Sequence, residues 1–400
     1  MIAKITPTVA VGQVVAPPSK SMAHRALLCG ALSAGSTISN LAYSKDIEAT
    51  VGCLQALGAW MEKDGDTIRL GGLDPFSQPE NAVLFCGESG STLRFLLPLC
   101  MLSGRPITLT GSQRLFQRPL LVYEEIANAQ GIAWHQTDGS VTVCGKLQGG
   151  AYQVQGDISS QFITGLLYTL PLLEEDSTLE IVGNFESASY VDLTLAALAD
   201  FGIKIRREGN VFYVSGGQKP KRHSYAVEAD CSNAAFLDAF NLLGGQVQVE
   251  GLSPNTLQGD RVYQTMYRQL EEGVRQFDLS DCPDLGPVMF ALAAAKGGAT
   301  FTGTARLRIK ESDRSAAMAQ ELKKFGIAVT VDENTVTVQT GVLQTPKETL
   351  SGHNDHRIVM SLALLCTLKG GSIAGAEAVS KSFPDFFEKL RFLQVGVTEQ

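Results

Sequence analysis

The sequence predicts an α/β fold in two domains, each built from three repeated units of helix, strand, helix and hairpin around buried helices. Three observations predict it: a turn of small residues leading into a strand recurs six times, an apolar helix-like run precedes each turn, and a glycine closes a second helix in every unit. At 400 residues the chain also exceeds what one hydrophobic core organises, so two interiors of ordinary size are expected.

In chain order the turns are Ala34-Gly35-Ser36-Thr37-Ile38, Ser103-Gly104-Arg105-Pro106-Ile107, Glu175-Asp176-Ser177-Thr178-Leu179, Gly244-Gly245-Gln246-Val247, Gly297-Gly298-Ala299-Thr300-Phe301 and Gly370-Gly371-Ser372-Ile373. The runs before them, residues 26–32, 93–102, 163–173, 234–243, 288–295 and 358–368, are apolar nearly all round, as a helix at a domain centre should be. A second helix in each unit ends at Gly58, Gly131, Gly202, Gly273, Gly326 or Gly396, each a natural left-handed C-cap. Four of these are followed by alternating strands around a turn: Asp64-Gly65, Asp138-Gly139, Glu208-Gly209-Asn210 and Asp332-Glu333-Asn334. The glycines recur at about 70 residues except between Gly273 and Gly326, where no room for a hairpin remains. Six units divide into two domains of three, with the break near the polar stretch Gln218 to His223. The sixth unit ends without its hairpin, so an N-terminal strand from Lys4 to Val15 is expected to complete that domain. The expected domains are residues 1–17 with 227–400, and residues 18–226.

Composition excludes several classes of function. A net charge of −8 argues against a nucleic-acid partner or an acidic membrane, either of which selects a basic face. The longest uncharged apolar stretch, residues 358–368, falls short of the roughly 20 residues of a membrane-spanning helix, and the first twenty residues lack a signal-peptide core. Eight dispersed cysteines, with no Cys-x-x-Cys pair and no histidine at ligand spacing, read as reduced core thiols in a cytoplasm. A monomer is expected.

The residues leading into each buried helix are polar: Ser19 to Arg25, Gly87 to Arg94, Asp157 to Gln161, Asp230 to Asn233, Asp281 to Asp284 and His353 to Arg357. A helix start offers unpaired N–H groups and a positive dipole end, and is a ready anion site. Ser, Asp and Asn are also ordinary N-caps, which accounts for any one of these runs alone. Caps need no cations, however, and helix starts repel them. Lys20, Arg25, Arg94, Arg114, Arg118, Lys310, Arg314, Arg357 and Lys381 at repeat-equivalent places in an acidic chain therefore point to recognition of phosphate and carboxylate. If a threefold axis relates the units of a domain, the helix starts converge on one face, and two such faces would hold a small polyanion. Pro17 to Ser21 lacks the glycines of a nucleotide loop, and Gly87 to Gly90 is too short for a dinucleotide fingerprint.

Seven motifs stand in a fixed order: Ser19-Lys20-Ser21 with His24-Arg25, Gly87-x-Ser89-Gly90-Ser91 with Arg94, Arg118-Pro119, Ser159-Ser160-Gln161-Phe162, Lys310-Glu311-Ser312-Asp313-Arg314, Asp355-His356-Arg357, and Lys381-Ser382-Phe383-Pro384. With them the sequence resembles the 5-enolpyruvylshikimate-3-phosphate synthase family along essentially its whole length. The resemblance implies the enolpyruvyl-transferase-like fold, with βαβαββ-type units and pseudo-threefold symmetry in each domain. It implies transfer of the enolpyruvyl group of phosphoenolpyruvate to the 5-hydroxyl of shikimate 3-phosphate, in aromatic amino acid biosynthesis. Shikimate 3-phosphate would meet Lys20, Ser21, Arg25, Ser159, Ser160, Gln161, Ser187, Tyr190, Asp284 and Lys310. Phosphoenolpyruvate would meet Lys20, Gly90, Arg118, Gln161, Glu311, Arg314, His356, Arg357 and Lys381. Two positions depart from the common pattern: Glu88 stands where Asn is frequent, and Arg306 where a polar residue is more usual.

That chemistry protonates the methylene carbon while the hydroxyl attacks its neighbour, and a tetrahedral adduct then loses phosphate. It calls for a general acid, a general base and cations. The resemblance makes Asp284, Glu311 and Lys20 the catalytic candidates, Asp284 as base and Glu311 or Lys20 in proton transfer at carbon. Each is also readable as a partner in an ion pair with a neighbouring Arg or Lys, a reading that for Asp284 stands level with a direct proton-transfer role. No metal or organic cofactor is expected, because the phosphate leaving group already activates the alkene. Gly90 leaves room beside phosphoenolpyruvate, so sensitivity to glyphosate is expected. The sister transferase that acts on UDP-N-acetylglucosamine generally carries a reactive cysteine in the loop matching Gly111 to Arg118, where this sequence has none. A non-catalytic anion-binding relative is the other alternative, disfavoured by the presence of Lys20, Asp284, Glu311, His356 and Lys381 together.

Overall fold

Six helices are buried along most of their length in the computed structural model, which describes residues 1–400. Three of them, Lys20–Leu32, Gly90–Cys100 and Ser160–Thr169, lie in the unit Pro18–Val227. The others, Cys231–Leu242, Gly286–Ala295 and His356–Lys369, lie in the unit formed by Met1–Pro17 and Glu228–Gln400. Each unit has its own apolar core. From Val288 to Ala293 no side chain reaches solvent, which a helix apolar on every side requires. The helices start earlier than the apolar runs, and in five of them the last of the polar residues form the first turn; Asp281 to Asp284 instead lie before helix Gly286–Ala295. Ser89, Ser159, Asp230 and Asp355 cap them through their side chains, accepting from Thr92, Gln161, Asn233 and Arg357 backbone N–H groups.

Around the helices stand six small sheets. In Pro18–Val227 each has four strands, the first pair parallel and the rest antiparallel: Val83–Phe85, Ile107–Thr110, Ser140–Cys144 and Ala133–Gln136 form one. The same order recurs in Gly150–Gln155, Ser177–Val182, Val211–Val214 and Ile205–Glu208. In the remaining sheet the leading strand comes from the far end of the unit, Ser224–Ala226 pairing with Ser36–Ser39. The unit is thus closed by its own last strand.

The other unit is completed by the N-terminus, though not by one strand. Pro7 lacks an N–H, and the segment divides into Ile2–Ile5 and Val11–Val15. Ile2–Ile5 lies antiparallel between Gly371–Ala374 and Val397–Glu399, in the place a hairpin strand occupies elsewhere. Val11–Val15 runs parallel to Gln246–Glu250 and completes the fourth unit as a two-stranded sheet. Five of the six helix-closing glycines adopt positive φ, from 68° at Gly131 to 104° at Gly58. The sixth does not: Gln394 takes the left-handed position at φ 63°. Gly396 answers to a different constraint, because a Cβ there would overlap the Thr6 hydroxyl where the strands meet.

All eight cysteines are free, and burial pushes the Cys366 thiol up to about 12, so it packs as a small apolar group. No helix is long and apolar enough to cross a membrane.

One close approach positions site residues directly. Helices Gly90–Cys100 and Ser160–Thr169 touch at Gly165, where a Cβ would overlap the Arg94 carbonyl and the Tyr123 hydroxyl. The Tyr123 hydroxyl donates to the carbonyls of Arg94 and Phe162 at 2.7 and 3.1 Å, locking the two helices. Gly165→Ala is expected to destabilise the protein by about 1–3 kcal/mol through overpacking, read as a lower urea midpoint. An unchanged midpoint would show that the helices can separate freely.

Candidate functional site

Most candidate residues of Pro18–Val227 sit at or near the starts of helices Lys20–Leu32, Gly90–Cys100, Ser160–Thr169 and Ala188–Asp200, while Arg118 closes the short helix Gln113–Gln117. Lys20, first residue of its helix, pairs with Asp46 at 2.7 Å, both largely buried. The Asp46 backbone carbonyl accepts from Thr92 Oγ1, which also donates to the Ser89 hydroxyl at 2.7 Å. Gly90 follows, and a Cβ on it would lie 2.8 Å from Arg118 Nη2 and 2.9 Å from its Cζ. The Arg118 guanidinium therefore rests against bare backbone at the helix start. Gln161 donates to Ser91 Oγ at 3.1 Å and accepts from Arg94 Nη1 at 2.9 Å, while Arg94 also donates to the Pro119 carbonyl. Arg94 stacks on Phe162 and fixes the amide of Gln161 from below.

Arg25 is held by its own helix and by a neighbour. It donates to the Ser21 and Tyr190 carbonyls at 2.7 Å each and to the Thr194 hydroxyl at 3.0 Å. Burial draws its pKa down, opposed by nearby Tyr168 and Tyr190. Tyr190 follows Ser187, whose φ of 55° starts the helix Ala188–Asp200 from a left-handed residue. Such a conformation is uncommon for a residue other than glycine. Ser159 is the N-cap and Ser160 the first residue of the next helix. The structure thus places Lys20, Ser21, Gly90, Ser159, Ser160, Gln161, Ser187, Tyr190 and Arg25 near the starts of four helices, with Arg118 packed on Gly90 from the end of helix Gln113–Gln117.

In the other unit, charge is concentrated around Arg314, which is 1% exposed. Its three nitrogens reach three carboxylates: Asp284 at 2.8 Å, Glu311 at 2.8 Å and Asp355 at 2.9 Å. Asp284 is shared, accepting also from Lys310 at 3.4 Å and from Arg357 at 3.0 Å. Burial opposes ionisation of Asp284, yet Arg357, Lys310 and Arg314 overcome it and hold its carboxyl well below the usual range. Burial draws the Lys310 ammonium down, while Asp284 pulls it back up. Burial likewise works against the Arg314 charge, and its three carboxylates more than reverse that. Three cations balance three carboxylates, which is the condition under which such a buried cluster is tolerated. His356 opens its helix with Nδ1 3.8 Å from Asp355, and Lys381 donates to the Asn354 carbonyl.

In each unit this arrangement presents oriented guanidinium and ammonium groups, Lys20, Arg314 and Arg357 among them at helix starts and Arg118, Lys310 and Lys381 at the ends of short helices, a combination suited to phosphate and carboxylate. Sequence reasoning did not name Asp46, which stands behind Lys20, and gave no supporting role to Arg94, read as one of the anion-recognising cations but bonded to Gln161, or to Asp355, read only within a motif but paired with Arg314. Asp355 carried a signal, since an N-cap acid directly before His356 and Arg357 has cations to pair with. Asp46 carried none, lying 26 residues from Lys20.

The family model described as EPSP synthase (3-phosphoshikimate 1-carboxyvinyltransferase) matches residues 5–390. The 3-phosphoshikimate 1-carboxyvinyltransferase of Clostridium kluyveri is 41% identical over 425 aligned positions, covering 99% of this chain and 98% of the relative. That of Clostridium acetobutylicum is 39% identical, with 99% and 98% covered. Among solved structures, an EPSP synthase from Acinetobacter baumannii superposes with a TM-score of 0.78 at 23% identity over the whole of both chains, which shows the fold.

Asp355→Asn removes a charge from a fully buried pair and is expected to cost about 3–5 kcal/mol at pH 7. Burial raises the Asp355 pKa, but Arg314 brings it below its ordinary value. Because the folded pKa lies below the unfolded value of about 3.9, the stabilisation is present above that pH and is lost as pH falls through the folded value. Urea unfolding at pH 7, 5 and 3 should therefore show the gap between wild type and variant narrowing only below about pH 4. A gap constant across that range would contradict the ion pairing.

Proposed function

This chain belongs to the EPSP synthase (3-phosphoshikimate 1-carboxyvinyltransferase) family, and from that membership we infer that it transfers the enolpyruvyl group of phosphoenolpyruvate to the 5-hydroxyl of shikimate 3-phosphate, releasing phosphate, in aromatic amino acid biosynthesis. The observation that carries the reading beyond family membership is the cluster of Lys310, Arg314 and Arg357 around Asp284, in which cations outnumber what helix capping needs. On this reading Lys20, Ser21, Arg25, Ser159, Ser160, Gln161, Ser187, Tyr190, Asp284 and Lys310 hold shikimate 3-phosphate. Lys20, Gly90, Arg118, Gln161, Glu311, Arg314, His356, Arg357 and Lys381 hold phosphoenolpyruvate.

Asp284 is the base toward the 5-hydroxyl. It is ionised at neutral pH, as a base must be, although the surrounding cations weaken its pull on a proton. Each cation that turns to a substrate phosphate or carboxylate frees some of that affinity. Glu311 or Lys20 delivers the proton to the methylene carbon, and His356 acts as a positioning donor. The group that delivered the proton then takes one back from the methyl carbon as the tetrahedral adduct expels phosphate and the alkene re-forms, and Arg and Lys groups stabilise the phosphate charge as it develops.

The reaction is tested by phosphate release with phosphoenolpyruvate and either shikimate 3-phosphate or UDP-N-acetylglucosamine. Release with the first alcohol alone is expected, and release with only the second would overturn the reading. Tight shikimate 3-phosphate binding without turnover would mark a non-catalytic relative. Lys20→Met should lower kcat/KM by at least about 100-fold, the scale of a lost proton-transfer group. Gly90→Ala should displace Arg118 and raise the KM for phosphoenolpyruvate on the order of tenfold, weakening glyphosate inhibition in parallel. Unchanged kinetics in either variant would remove that residue from the assignment.

A further inference from the structure

The segment from Thr349 to Arg357 is gripped at two places by one helix, and only one of them belongs to the charge cluster. Helix Arg314–Lys324 places Arg314 on Asp355 at its start. Two turns further on, on the same face, stands Glu321, a carboxylate with no solvent exposure that the proposed chemistry does not use. Its Oε1 accepts from His353 Nε2 at 2.9 Å and its Oε2 from the Ser351 backbone N–H at 2.9 Å. Lys324 neutralises it at 2.9 Å and also donates to the Thr349 carbonyl. Burial works against the Glu321 charge, and the bonds from His353, Lys324 and Ser351 outweigh it, so the group is anionic at neutral pH.

What Glu321 grips is strained. His353 and Asn354 have φ of 47° and 51°, two consecutive left-handed residues neither of which is glycine. Two such residues in succession persist only where their surroundings over-determine them. The strained turn leads straight into the site: the Asn354 carbonyl receives Lys381 Nζ, and Asp355 caps the helix that begins with His356 and Arg357.

We propose that Glu321 and His353 are positioning residues, whose hydrogen bond holds the left-handed turn that fixes Lys381, His356 and Arg357 in register with Arg314. The proposal rests on the assignment of Lys381 and Arg357 to phosphoenolpyruvate. Neither Glu321 nor His353 touches a reacting atom; the pair acts through the carbonyl and cap it presents. A slack turn would let Lys381 and Arg357 drift, weakening binding of one substrate more than the chemical step.

The test compares wild type with Glu321→Gln, His353→Ala and His353→Gln, using full-length protein. The first two should raise the KM for phosphoenolpyruvate roughly tenfold, with kcat and the KM for shikimate 3-phosphate within about twofold of wild type. His353→Gln keeps an N–H donor at similar reach and should restore most of the loss. Amide hydrogen exchange at Asp355 and Arg357 should accelerate in Glu321→Gln and His353→Ala and return toward wild type in His353→Gln. Lower thermal stability with unchanged KM values and exchange would assign the pair a purely structural role and overturn the proposal. If wild type itself releases no phosphate, the substrate assignment falls, and the exchange measurement alone decides whether the turn is held by this pair.

Discussion

A helix that is apolar on every side can be buried only if its start still finds partners for four unpaired N–H groups, and six such helices set the terms for this molecule. The polar residues that satisfy them cannot lie in the core. They gather at one end of each helix, where backbone donors, capping side chains and the positive dipole end already favour an anion. Fold and chemistry therefore share the same residues. Ser89, Ser159 and Asp355 are caps by geometry, and each stands beside a residue of the proposed substrate set.

Cations at those starts oppose the dipole, so each has to be held by something else. Lys20 is held by Asp46, Arg25 by two carbonyls and a threonine, and Arg314 by three carboxylates. Such partners orient as well as neutralise. A guanidinium whose nitrogens are fixed on one side presents a defined direction on the other, and less freedom is lost when an anion docks. The same logic explains why Arg94, although part of no assigned substrate contact, is 2% exposed and bonded to Gln161.

The repeated architecture was legible because repetition leaves a signal at fixed spacing: turn, apolar run and closing glycine each recur with every unit. The alternation of the hairpins was legible for the same reason. Where the reading erred, a contact distant in sequence had changed the rule. Gly396 looks like the other five helix-closing glycines, but its neighbour is Thr6, and Gln394 takes the left-handed position instead. The N-terminal segment read as one strand, while two different sheets each lacked one, and Pro7 let the chain serve both.

The sequence by itself determined the repeat, the apolar helices and the basic residues at their starts, because each is a local pattern of side chains along a few turns of chain. It also determined family membership, through motifs whose order survives without knowledge of their contacts. Only the tertiary structure decided which carboxylate holds which cation. Asp46 meets Lys20, Asp355 meets Arg314 and Glu321 meets His353 across separations of 26, 41 and 32 residues. Nothing in composition or periodicity selects those pairs. They are fixed by how helices pack, since a carboxylate can stay charged in a buried place only where the fold brings a donor within about 3 Å of it.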